Sequence, residues 1–197
     1  MSFKNREIET KYILNGADLN FVCNEFDRLL RTESPVRKWG SSRDHYYQVN
    51  DPNVGADFAR IRERDGIRQL TVKGKDKGTN DDRIEIDLDS TSPLNKIQAF
   101  FTALLGKPLG IVSKSYYVWV MAASEHDTIT AYVVDSDENL KNSVILEFEA
   151  RTMDGVVKLE NLVLDSLRQH ANITIERAPG SLFEMAVTKE KPWTKTP

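Results

Sequence analysis

The sequence predicts an α+β protein: a closed eight-stranded antiparallel β-barrel with helices packed outside it. Three observations lead there. Eight segments read as strands, five of which alternate charged with apolar residues, and three further segments carry apolar residues at helical spacing. The strands fall at 6–13, 36–50 with a break near Gly40, 57–64, 68–75, 83–89, 110–121, 128–135 and 144–152.

In the first strand Glu7, Glu9 and Lys11 share one face. Asp18 then caps a helix whose apolar stripe is Leu19, Val22, Phe26, Leu29 and Leu30. The third strand places Arg60, Arg62 and Arg64 on one face, with Ala59 and Ile61 opposite. The fourth sets Thr71, Lys73 and Lys75 against Leu70 and Val72. A polar loop over 76–82 leads to the fifth, where Arg83, Glu85 and Asp87 oppose Ile84, Ile86 and Leu88. Ser92-Pro93 opens a helix through Ile97, Phe100, Phe101, Leu104 and Leu105, and Gly106 ends it. The eighth strand sets Glu147, Glu149 and Arg151 against Leu146, Phe148 and Ala150. Asp154 starts a third helix, with Val156, Leu159, Leu162, Val163 and Leu167 on one side, and a short fourth helix follows Gly180. Tyr46, Tyr47, Trp39 and Trp119 read as packing residues. Residues 1–189 are expected to form one domain and 190–197 a tail.

Taken alone, each charged face could lie in water. Three arginines in a row on one face repel, however, and paired carboxylates stand near both ends of the chain. A barrel with a polar interior and an apolar exterior under the helices accommodates all five strands, and eight strands enclose room for about one small ligand.

The chain has 197 residues, 29% of them charged, and a formal net charge of −3. That balance gives no push toward nucleic acid. Cys23 is the sole cysteine, so an intrachain disulfide and a thiolate zinc cluster are both excluded. Residues 1–11 are charged and lack an apolar signal segment, and no apolar run is long enough for a membrane span. A cytoplasmic setting is expected, with no membrane partner; a homodimer is compatible with this composition.

Pooled, the acidic positions are Glu7, Glu9, Glu85, Asp87, Glu147, Glu149 and Asp135. The basic ones are Lys11, Arg60, Arg62, Arg64, Lys73, Lys75, Arg83, Lys114 and Arg151. Burying so many charges is costly unless they pair or meet a ligand. A polyphosphate with divalent metal meets both signs: guanidinium forks match phosphate oxygens, and carboxylates suit Mg²⁺ or Mn²⁺. Glu7 and Glu9 point the same way about 7 Å apart, as do Glu147 and Glu149, so two pairs could hold metal from opposite walls. Without ligand, Arg60, Arg62 and Lys73 are expected to repel one another and depress stability.

The order of these motifs resembles that of the CYTH, or triphosphate tunnel, superfamily. EIETK (residues 7–11) is similar to its ExExK motif. ARIRER (59–64), TVKGK (71–75) and RIEID (83–87) resemble its next charged strands, and Lys114, Asp135 and the ExE of LEFEA (146–150) follow in order. The resemblance implies metal ligation by Glu7, Glu9, Asp135, Glu147 and Glu149. It implies triphosphate contacts from Lys11, Arg60, Arg62, Lys73 and Lys114, with Arg64 and Arg83 beside them. Two departures stand out. Relatives commonly carry an arginine one or two residues after the lysine, where this chain has Ser115 and Tyr116. The KSY- or RSY-like segment near the C-terminus is PGSLFEM (179–185) here.

The expected activity is metal-dependent hydrolysis of a triphosphate-containing small molecule. One metal would sit at Glu7 and Glu9, a second near the catalytic Asp135 and Glu147 with Glu149, and Lys11 and the other bases would offset phosphoryl charge. The alternatives are a class IV-like adenylate cyclase and a triphosphate-binding protein without turnover.

Overall fold

The computed structural model describes residues 5–49, 56–74, 83–137, 140 and 142–188; for 5–7, 57, 83, 84 and 188 it describes the backbone alone. The strands are β1 (Asn5–Asn15), β2 (Val36–Gln48), β3 (Ala56–Arg64), β4 (Ile67–Gly74), β5 (Arg83–Ser90), β6 (Gly110–Val120), β7 (Thr128–Val134), β8 (Ser143–Ala150) and β9 (Thr174–Arg177). The helices are α1 (Leu19–Leu29), α2 (Leu94–Leu105) and α3 (Met153–Leu167). Asp18 caps α1 through a bond from the Phe21 amide, as its position predicts. Thr152 caps α3, accepting from Gly155 N, and Asp154 lies in its first turn. The segment after Gly180 becomes a π-helical turn over Glu184–Thr188.

One antiparallel sheet runs β5-β4-β3-β2-β6-β7-β8-β1-β9. It corrects the sequence expectation in two ways. There are nine strands among the described residues, and the sheet is not the closed eight-stranded barrel. Strand β1 pairs with β8 all along Ile8–Asn15, but its other edge is divided. Only Asn5, Arg6 and Glu7 meet β5, while Tyr12–Asn15 are taken by β9. A full seam between β1 and β5 would need the edge that β9 occupies. Strand β9 escapes sequence reading because four residues, TIER, are too few for a periodicity. Strand β2 runs unbroken through Gly40, where a side chain would meet the Tyr116 hydroxyl: an added Cβ would lie 2.7 Å from it. A two-residue turn joins β3 to β4, with Asp65 and Gly66 both at positive φ (51° and 77°), as tight hairpins with right-handed twist require.

The alternation reads out as expected on the two faces. Leu146, Phe148, Ile129, Trp119 and Leu14 point outward and are buried under Val22 and Phe26 of α1 and Val156, Leu159, Val163 and Leu167 of α3. Each such side chain contributes about 1.5–3 kcal/mol on full burial. Helix α2 covers Tyr47, Ala59 and Ile61 with Ile97 and Phe101. Trp39 departs from its reading as a packing residue and is exposed. On β5, Ile86 and Leu88 are 42% and 63% exposed while Glu85 is turned inward, so the charged face is the interior one. A third apolar cluster, including Ile13, Tyr46, Phe58, Tyr132, Ile145, Leu182 and Phe183, fills the inner face at one end. Its Tyr46, Phe58, Leu182 and Phe183 border the polar part of the interior. Among the described residues no helix is long and apolar enough to cross a membrane.

Candidate functional site

The inner faces of β1, β3, β4, β5, β6 and β8 line a cavity of about 280 Å³. Period-two alternation delivers Glu9 and Lys11 from β1, Arg60 and Arg62 from β3, and Lys73 from β4. Glu85 and Asp87 arrive from β5, Lys114 from β6, and Glu147 and Glu149 from β8. Register explains the meeting of the acidic walls, because Glu9 faces Glu149 and Lys11 faces Glu147 across the β1–β8 ladder.

The charges are interlocked. Lys11 binds Glu9 and lies 3.5 Å from Glu147. Lys73 bridges Glu9 at 3.7 Å and Glu85 at 2.7 Å. Arg60 continues the chain to Glu85 at 3.5 Å and donates to Thr71 Oγ1 at 3.1 Å, which in turn donates to Asp87 at 2.6 Å. Asp44 on β2 ends it: Arg62 donates to both of its carboxylate oxygens at 2.8 Å, and Arg60 lies 3.9 Å away. The expected mutual repulsion of Arg60, Arg62 and Lys73 is therefore offset. Each cation has a carboxylate that the sequence reading either left unpaired or missed.

Asp44 is the missed residue. It is fully buried, and it was legible: Ser42, Asp44 and Tyr46 alternate on β2 as the other inward triplets do. Burial alone would raise its carboxyl, but Arg62, with Lys114 and Arg60, holds it well below the ordinary range. Tyr132 is a second omission; its hydroxyl donates to Glu147 at 3.4 Å, and its ring lies 4.5 Å below the Lys114 ammonium.

Two groups in the cavity are out of charge balance. Burial, then the charges of Glu147 and Glu9, push the Glu149 carboxyl up to about 7. Burial, then the like charge of Arg62, bring the Lys114 ammonium down to about 7. These shifts give opposite slopes of stability with pH. Between the ordinary carboxylate value of 4.5 and about 7, folded Glu149 keeps a proton that the unfolded chain has released, so stability falls as pH rises. Between about 7 and the ordinary 10.5, the unfolded chain keeps a proton that folded Lys114 has lost, so stability rises. The ligand-free protein should show a melting minimum near neutral pH, with Glu149→Gln flattening its acid limb. A melting temperature that climbs steadily from about pH 5 to 7 in both proteins would contradict this assignment.

The donor set Glu9, Glu147 and Glu149 is all oxygen, which suits a hard divalent cation, and burial first, then the like charges of Glu147 and Glu9, raises the Glu149 carboxyl. As they stand, no three acidic, histidine or cysteine side chains among the described residues converge on one point. Lys11 occupies the space between Glu9 and Glu147. The chemistry of the donors fits a metal, and Lys11 would have to yield.

The other expected residues are placed less centrally. Glu7 pairs with Arg83 in backbone register, both side chains lying outside the described set. Lys75 and the 76–82 loop lie outside the described residues altogether. Arg64 is exposed at the cavity's edge. Asp135 is not brought to Glu147 and Glu149; it lines a second cavity and accepts from Ser115 at 3.5 Å.

Solved structures share this fold. A candidate adenylate cyclase from Vibrio parahaemolyticus matches with a TM-score of 0.60 and 18% identity, over 91% of this chain and 97% of its own. One from Bacillus halodurans matches at 0.56 and 17%, over 91% and 96%. A candidate adenylyl cyclase from Hippeastrum with a dominant triphosphatase activity matches at 0.55 and 14%, over 90% and 93%. No family model and no curated protein matches the chain. The motif resemblance to the CYTH superfamily agrees with these neighbours, and at such identities the likeness is one of fold.

Proposed function

We propose that this chain is a metal-dependent triphosphatase that removes the terminal phosphoryl group of inorganic triphosphate or an organic triphosphate. The observation that carries the reading is the two-signed lining of one cavity. Arg60, Arg62, Lys73 and Lys114 stand on β3, β4 and β6, and Glu9, Glu147 and Glu149 on β1 and β8. Glu9, Glu147 and Glu149, with Glu7 preceding them on β1, would hold Mg²⁺ or Mn²⁺, which when bound neutralises phosphate oxygens and acidifies water.

The chain's own residues do the rest. The phosphate oxygens replace carboxylates as partners of Lys73, Arg60 and Lys11, releasing Glu9 and Glu147 from their ion pairs. Arg62 stays fixed by Asp44 and presents its remaining donor edge. A water oxygen bonds to the terminal phosphorus as the bridging P–O bond breaks. The water's proton passes to a carboxylate of the Glu147–Glu149 pair, and the charge left on the departing oxygen faces Lys11 and Lys114.

A cyclase reading draws on the Vibrio and Bacillus neighbours. The same lining would hold ATP while its ribose 3′-oxygen attacks the α-phosphorus and diphosphate leaves. The dominant triphosphatase activity of the Hippeastrum neighbour favours hydrolysis. Product analysis with inorganic triphosphate, ATP and thiamine triphosphate, in Mg²⁺ and separately in Mn²⁺, decides. Orthophosphate is expected; cyclic AMP with diphosphate would establish the cyclase, and binding without turnover a sequestering protein.

Binding has its own readout. A ligand that binds the folded state alone, at about 100 times its dissociation constant, adds roughly 2.7 kcal/mol, or about 5–10 °C of melting temperature at this size. Triphosphate with metal should reach that shift. Orthophosphate at equal concentration should give much less, since it meets only part of the clamp. Equal shifts would reduce the basic strands to a generic charged surface.

A further inference from the structure

Strand β2 outruns one of its neighbours. Its pairing with β6 runs from Val36 to Tyr46, whereas its pairing with β3 begins only at Arg43. The second edge of 36–42 therefore meets no strand among the described residues. A bare edge offers its peptide N–H and C=O groups to any further strand, and folded proteins blunt such edges with charge, brevity or proline. The other open edges are blunted in this way. Strand β9 has four residues, and the part of β5 beyond its contact with β1 carries Asp87 and Asp89. The open edge of β2 is apolar by comparison. Val36 is 57% exposed and Trp39 79%, the most of any large apolar side chain among the described residues. Of its two cations, Arg37 is engaged by Asp27 and lies over the Tyr117 ring, which leaves Lys38.

We infer that this edge is a dimer interface, at which a second copy of the chain adds its own residues 36–42 antiparallel and continues the sheet across a two-fold axis. Length, register and side chains all favour a copy of the same segment. Pro35, and Ser34 in the left-handed region at φ 47°, end the strand at Val36, and β3 takes over the edge at Arg43. In a two-fold pair Val36 of one chain stands against Ser42 of the other, so each strand stops where the other chain's β3 starts. Residues opposite one another in an antiparallel pair turn their peptide groups the same way, so the axis must pass through a residue and not between two. Centred on Trp39, the whole segment pairs. Arg37 then falls opposite Ser41 and Lys38 opposite Gly40, and no like charges meet. Centred on Lys38, two lysines would oppose each other. Centred on Gly40, Val36 and Arg37 would need residues that β3 already holds. The Trp39 register also sets the two indoles side by side on one face as a cross-strand aromatic pair, covering the side chain that a single chain leaves bare.

The test is analytical ultracentrifugation of the full chain over a concentration series. The wild type should show a reversible monomer–dimer equilibrium and no larger species, because two-fold pairing closes on itself. Trp39→Glu sets two carboxylates against each other at the axis and should weaken the dimer about tenfold or more; Trp39→Lys should do the same with two ammonium groups. Trp39 is exposed in the single chain, so at dilutions where the wild type is monomeric both variants should melt with it. An equimolar mixture of the two variants should regain the dimer, because opposite charges then face each other across the axis. A wild type that stays monomeric throughout, one that grows beyond a dimer, or a Trp39→Glu variant that dimerises as tightly would overturn the interface. So would a mixture no more dimeric than its two components, since the Trp39 register requires those two positions to meet.

Discussion

Arg62→Ala should melt well below the wild type when no ligand is present. The basis is Asp44, which is fully buried and takes both of its strong hydrogen bonds, at 2.8 Å, from Arg62. Removing one partner of a buried pair leaves the other charge uncompensated, at a cost of about 3–5 kcal/mol. In a chain of this length that corresponds to a drop on the order of 10 °C. Arg60, at 3.9 Å, and Lys114 soften the loss without replacing the two-pronged geometry. The sequence alone points the opposite way, because three successive same-face cations look mutually repulsive and deleting one should relieve strain. The two views separate cleanly by calorimetry of ligand-free protein. A melting temperature that rises in Arg62→Ala would mean that Asp44 does not hold the clamp. The double variant Arg62→Ala/Asp44→Ala supplies the control. Removing both charges should recover part of the loss, whereas two independent sites would simply add.

Much of this arrangement is legible in the sequence, for a physical reason. A strand's side chains alternate strictly, so RIR in β3, TVK in β4, EID in β5 and EFE in β8 could be assigned to one face without knowing the neighbours. Glu9, Lys11, Arg60, Arg62, Lys73, Lys114, Glu147 and Glu149 meet in one cavity as those faces imply. Partnership is a property of register, which alternation does not encode. That is why the cation row looks unpaired in the sequence: alternation puts Asp44 on the inner face of β2, but only register sets it beside Arg62. The same limit explains the seam. Nothing in EIETK says that β1 divides its second edge between β5 and β9, and the closed eight-stranded barrel fails there. Asp135 shows the third limit. It sits one residue beyond the end of β7, and the chain turns it toward the second cavity with Ser113, not toward Glu147.

The largest effect on turnover is expected from Glu147→Gln. The substitution keeps volume and removes one charge from the trio Glu9, Glu147 and Glu149. Of the three, Glu147 touches Lys11 at 3.5 Å and receives the Tyr132 hydroxyl, so it stands between the acidic wall and a cation that must move toward phosphate. Loss of a group that organises charge at a reacting phosphoryl is worth about 10²- to 10³-fold in turnover, and more if metal is lost with it. Stability should move little or upward, because the like charge of Glu147 is, after burial, the largest influence raising the Glu149 carboxyl. A folded, equally stable and nearly inactive Glu147→Gln separates a chemical role from a structural one. Glu9→Gln is a poorer probe, since Glu9 also anchors Lys11 and Lys73 and its loss should cost stability as well. Excess chelator gives the independent check: it should silence wild-type hydrolysis of triphosphate, with activity returning on added Mg²⁺ or Mn²⁺. Undiminished turnover in chelator, or a Glu147→Gln variant as fast as the wild type, would leave the acidic wall as a partner for Lys11 alone and remove metal from the reaction.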